Sequence, residues 1–276
     1  MRVAVVGHVE WIEFARVPRV PRPGEIVHAS EWWEEAGGGG AVAAVQLAKL
    51  AGEADFFTAL ATDERGDRAR TRLQELGVRV HAAPRPAPQR RGFVYLDEEG
   101  ERTITILGER IVPHGDDDLP WERLGGADAV YFTGGDPAAL AAARRARRLV
   151  ATPRAERTLR AAGVRLDALV RSATDPGEQH AGEDLDPPPD LVVSTAGKEG
   201  GRWVAADRTT GSWEAADLPG SRRDSYGAGD SFAAGLTYGL AADLPIEETL
   251  KVASRCGAHK MTGRAAYENQ LTAVEL

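Results

Sequence analysis

The run Asp224-Ser225-Tyr226-Gly227-Ala228-Gly229-Asp230-Ser231-Phe232 sets a carboxylate directly behind three small residues. Gly227, Ala228 and Gly229 let backbone N–H groups come close to a ligand, because no bulky side chain stands in the way. Residues 231–242 then read as a helix, with Phe232, Leu236 and Leu240 four apart on one face. A glycine-rich turn feeding a helix N-terminus suits an anion, since free amides and the helix dipole both point at it. Asp230, at that same place, is either a plain N-cap or a general base held where a phosphoryl group meets a hydroxyl.

Three further groups carry residue types suited to chemistry. Gly37, Gly38, Gly39 and Gly40 precede an alanine-rich helix over 41–50, so backbone there can approach a ligand. The stretch lacks the Lys-Ser/Thr of a P-loop, and no Gly-x-Gly-x-x-Gly with a downstream acid marks a dinucleotide enzyme. Asp175-Pro176-Gly177-Glu178 follows a strand over 166–171. Its oxygens suit a hard ion such as Mg²⁺, or they form an acidic turn that caps a helix. Thr195-Ala196-Gly197-Lys198-Glu199-Gly200 makes a turn after an apolar strand over 191–194.

The nine-residue run closely resembles the C-terminal signature of the ribokinase-like (PfkB) family of carbohydrate and nucleoside kinases, Asp-Thr-x-Gly-Ala-Gly-Asp-x-Phe, with Ser225 in place of Thr. The resemblance implies an ATP-dependent kinase. Asp230 would take the acceptor's proton, and the amides of Gly227, Ala228 and Gly229 would hold the γ-phosphoryl charge. It implies that Thr195, Gly197, Gly200, Ser225, Cys256 and Gly257 lie along the nucleotide, and that Glu10, Gly38, Gly39, Gly40 and Asp230 meet the acceptor. Asp175 and Glu178 would act on Mg²⁺ and phosphates. Two positions depart from the family pattern. Val42 stands where an Asn usually meets sugar hydroxyls, and 7–12 holds no Asp, Glu10 being the nearest carboxylate. A sugar or sugar-like alcohol is the expected acceptor. A nucleoside or other non-sugar hydroxyl, or a nucleotide sensor without chemistry, are the alternatives.

The elements that must position these groups alternate. Short apolar strands over 2–6, 54–61, 78–82, 128–133, 149–152, 166–171 and 191–194 are interleaved with helices over 41–50, 67–76 and 154–162 and one opened by Asp136-Pro137. This is the pattern of an α/β doubly wound, mainly parallel sheet, whose ligands bind beyond the C-terminal strand ends. Residues 92–96 and 102–107 flank an acidic, glycine-ended turn and form a hairpin. Residues 25–33 read as an edge strand on which Trp32 and Trp33 face opposite ways. The resemblance makes segments 10–35 and 88–110 a small β lid on one kinase domain spanning 1–276, and a surface for a homodimer. A last helix spans 246–262, and the basic run Arg144-Arg145-Ala146-Arg147-Arg148 reads as the solvated end of a helix.

Composition fits this class. The 276 residues are 42% hydrophobic and 28% charged, enough for a full core. A formal charge of -8 argues against a nucleic-acid surface. One cysteine, Cys256, excludes an internal disulfide and a cysteine-based zinc site. Residues 1–6 are too short an apolar run for a signal peptide, and no run approaches a membrane span. The expectation is a soluble, cytoplasmic protein with no membrane partner.

Overall fold

The computed structural model describes residues 1–276. Its first strand, β1 (Val3–Val6), is buried along its whole length. Successive side chains point to opposite faces, and here each face has its own core. Val3 and Val5 join one apolar cluster, and Ala4 and Val6 join another. A strand buried on both sides must be central.

The pairing bears this out. β1 lies parallel between β4 (Ala54–Ala61) and β8 (Ala129–Phe132). Outward from β4 comes β5 (Val78–Arg85); outward from β8 come β9 (Arg148–Ala151), β10 (Ala168–Ser172) and β11 (Leu191–Thr195), all parallel. Two antiparallel strands, β12 (Gly201–Ala205) and β13 (Thr210–Trp213), complete a sheet of nine. The chain winds one way from β1 to β5 and the other way from β8 to β11. The reversal between β1 and β8 opens a crevice at the strands' C-terminal ends.

Helices α1 (Gly39–Ala51), α5 (Ala228–Ala241) and α6 (Ile246–Met261) cover the first core face. Helices α3 (Pro137–Ala143) and α4 (Glu156–Ala162) cover the second. Helix α2 (Glu64–Glu75) flanks β5; Asp63 caps it by accepting from the Gly66 amide at 2.9 Å. Asp136 caps α3 in the same way, with Pro137 at its first position, as the sequence predicts. The basic run does not continue that helix. α3 ends at Ala143, Arg148 opens β9, and Arg144, Arg147 and Arg148 pair with Asp167, Asp128 and Asp243.

A second sheet of four strands runs in the order β3-β2-β6-β7. It comprises β2 (Glu10–Arg16), β3 (Glu31–Gly37), β6 (Arg91–Leu96) and β7 (Arg102–Leu107). The strand expected over 25–33 is corrected here. Residues 25–30 are not strand and Ile26 is exposed, whereas β3 begins at Glu31 and pairs with β2, which the sequence pattern does not reveal. The tryptophans do diverge. Trp32 is exposed, while Trp33 stacks on its cross-strand partner Phe14 at 5.0 Å.

Candidate active site

Two helix N-termini converge at the crevice. The N-cap of α5 is Gly227, at φ 76°, and that of α1 is Gly38, at φ 86°. Both are left-handed conformations that glycine adopts without a Cβ clash. Neither helix is capped by a side chain; the Ala228 amide makes a 3.4 Å turn bond to the Ser225 carbonyl, and the neighbouring first-turn amides are left for a ligand. The Tyr226 hydroxyl ties the two together by accepting from the Gly38 N–H at 2.9 Å. Val42 is fully buried beneath the turn, and a Cβ on Gly227 would meet its Cγ1 at 2.9 Å. Val42 therefore acts as packing under the anion turn.

Asp230 is the third residue of α5, inside its first turn, so the N-cap reading does not hold. Its carboxylate reaches across to α1, where a Cβ on Gly39 would lie 2.7 Å from Oδ1. In front of Gly229 there is open space. Desolvation pushes the Asp230 carboxyl up to about 6, with Glu178 and Glu10 raising it and Arg154 and Arg102 opposing them. A carboxylate with that affinity for a proton, facing a gap lined by free amides, is equipped to deprotonate an alcohol beside a bound phosphoryl group.

The other expected residues divide. Glu10 is buried, 3.1 Å from Arg90 Nε and 3.7 Å from His8 Nε2, and it lies against Gly38. Gly40 allows α1 to touch the chain at His8, whose carbonyl a Cβ there would meet at 2.7 Å. Thr195 ends β11 and donates its hydroxyl to the Arg171 carbonyl at 3.3 Å. Gly197 faces open space at φ 59°. Gly200 has a structural reason, because a Cβ there would strike the Trp213 carbonyl at 1.9 Å. Gly257 packs beside the Ala228 carbonyl, at the start of α5.

Two expectations need correction. The Cys256 side chain is fully buried with Leu50 and Leu271, its thiol pushed up by desolvation, so it packs α6 on the core and meets no cleft. Ser225 is likewise buried; its hydroxyl accepts from Arg102 Nη1 at 3.3 Å and lies 3.5 Å from Glu101. That contact joins the lid hairpin to the anion turn.

Asp175 and Glu178 sit beyond β10 and grip Arg154, with Glu178 Oε1 2.7 Å from its Nε. Mg²⁺ on a nucleotide is usually held by one or two carboxylates plus substrate phosphates. This pair fits that demand as a donor set, although no group of three or more such side chains forms a protein-only cage. Sequence reasoning misses His8, Arg90, Arg102, Arg110 and Arg154, because they lie far apart in the chain and none belongs to a contiguous motif.

The sequence matches the family described as pfkB family carbohydrate kinase over residues 1–162 and 166–273. The chain belongs to that family. It is an ATP-dependent kinase. It is 28% identical over 280 residues to an ATP-dependent ribose-1-phosphate kinase from Halopiger xanaduensis, covering 94% of this chain and 91% of the relative. Ribokinase from Giardia lamblia has the same fold, with TM-score 0.82 and 20% identity over 99% of this chain and 97% of that one. So does Arabidopsis thaliana ribokinase complexed with ribose and ATP, with TM-score 0.77 and 18% identity over 99% and 96%.

Proposed function

We propose that this kinase moves the γ-phosphoryl group of ATP to a hydroxyl of a small sugar-like molecule, with Asp230 as the general base. The observation that carries the reading is the Asp230 carboxylate, raised to about 6 and held against Gly39 before the open face of Gly229. The acceptor hydroxyl gives its proton to Asp230. Its oxygen bonds to the γ-phosphorus, the bond to the β-phosphate oxygen breaks, and ADP leaves. The amides of Gly227, Ala228 and Gly229 receive the charge that develops on the phosphoryl oxygens, aided by the α5 dipole. Mg²⁺, recruited with the nucleotide near Asp175 and Glu178, would neutralise phosphate charge. Thr195, Gly197 and Gly257 border the nucleotide in this reading, and Glu10 with Gly38, Gly39 and Gly40 borders the acceptor. The relative named for ribose 1-phosphate supports a sugar-like acceptor.

The test is Asp230→Asn. A general base contributes about 10²- to 10⁴-fold, so kcat should fall by that much while ATP still binds in a direct titration. Unchanged kcat would remove Asp230 from the chemistry.

The lid offers an interface as well. Ile104, Ile106 and Leu107 on β7, the outer strand of the four, are exposed apolar residues on an unpaired edge. We propose that a second copy of the chain covers them.

A further inference from the structure

Arg90, Arg110 and Arg154 reach the crevice from three separate loops, before β6, after β7 and after β9. All three lie within charge range of His8 and Glu10, just past the end of β1. Their partners are unequal. Arg154 is engaged by Asp175 and Glu178. Arg90 faces Glu10 at 3.1 Å. Arg110 stands exposed, and the one carboxylate acting on it is that same Glu10. Two guanidiniums thus share a single carboxylate, which leaves an uncompensated positive charge.

Unpaired polar atoms gather at the same place. His8 Nδ1 and Thr133 Oγ1 are buried and have no hydrogen-bond partner, and the two residues are only 6% and 3% exposed. Buried polar groups are usually hydrogen-bonded, so these two atoms mark a place that a ligand or water completes. Burial and the three arginines hold His8 neutral, so it adds hydrogen-bonding capacity without charge.

We propose that the acceptor already carries a phosphate, which Arg90 and Arg110 bind while His8 and Thr133 contact the adjoining oxygens. Guanidinium pairs suit phosphate because their forked donors match its oxygens. The site is distinct from that of the transferred group. The Asp230 carboxylate lies against Gly39, and Glu10, which pairs with Arg90, lies against Gly38. The bound phosphate therefore sits on the Arg90 side of Glu10, and the reacting hydroxyl on the Asp230 side. Resting on the kinase reading, the product is a bisphosphate: the second phosphate comes from ATP, ADP departs, and the hydroxyl proton goes to Asp230.

The experiment is calorimetric titration, without ATP, of ribose, ribose 1-phosphate, ribose 5-phosphate and fructose 6-phosphate, followed by turnover with each. At least one phosphorylated sugar should bind roughly 100-fold more tightly than ribose, a gap of the size two charged hydrogen bonds supply. Arg110→Ala and Arg90→Ala should each weaken that binding roughly 10- to 100-fold, with Arg110→Lys recovering part of the loss. Asp230→Asn should keep the binding, because it lies on the other side of Glu10. Equal affinity for ribose and all three phosphates, or an Arg110→Ala protein with undiminished phosphate affinity, would overturn the proposal. Phosphorylated sugars that bind through Arg110 but are not turned over would uphold the anion site and sink the sugar-like acceptor of the proposed function. Efficient turnover of ribose with no preference for a phosphorylated sugar would do the reverse.

Discussion

At the scale of single residues, the site depends on how one carboxylate is held. Asp230 must be ionised to accept a proton, so kcat/KM should fall tenfold per pH unit below about 6. Glu178 raises that value by repulsion, so Glu178→Gln should move the acid limb to lower pH, beyond any loss in rate. Stability runs the opposite way. The carboxyl rises from 3.8 to about 6 on folding, so the folded chain binds more protons between those values. The stability from this group is therefore full below the lower value and is lost as pH rises through the upper one. Asparagine carries no charge to desolvate. Thermal melts at about pH 8 should show Asp230→Asn more stable than the parent, on the order of 1–3 kcal/mol, with the gap closing below about pH 4. Gly39 gives a sharper test. Its backbone is ordinary, so alanine strains nothing there, yet the added Cβ would sit 2.7 Å from the carboxylate. Gly39→Ala should cut kcat about 100-fold, as misplaced catalytic groups do, with little change in melting temperature.

At the scale of elements, the strands were legible wherever burial on both faces made a continuous apolar run. β4 is found over the predicted 54–61, and β1 and β8 lie within a residue of their predicted bounds. β2 was not legible. Glu10 and Glu13 interrupt its pattern, and their inward placement follows from pairing with Arg90 and Arg91, which lie about eighty positions away. The anion turn was legible because its residues are contiguous. α5 starts at Ala228 rather than at Ser231, since the small residues that permit close approach are themselves helical. The acceptor end was obscure for the same reason as β2, its arginines meeting only after three loops are brought together. Tyr226 is the link between α1 and the turn. Tyr226→Phe leaves the Gly38 amide unpaired, at a cost of about 1–3 kcal/mol. Urea unfolding should register that loss, and KM for the acceptor should rise.

For the whole molecule, β7 leaves an unpaired edge of exposed apolar residues on the four-stranded sheet. If Ile104 and Ile106 are covered by a second copy, Ile104→Lys with Ile106→Lys should shift a dimer to monomer in sedimentation, since charge on an edge strand blocks pairing. The lid also leans on the chemistry. A Cβ on Gly100, in the hairpin turn, would lie 3.0 Å from the Arg223 carbonyl, and the Ser225 amide donates to the Gly100 carbonyl at 3.2 Å. The tip of the hairpin is thus fastened to the loop that leads into the Gly227–Gly229 turn. Whatever grips the outer edge has a lever on the cradle, so specific activity should climb with protein concentration as protomers meet, and diluted enzyme should idle.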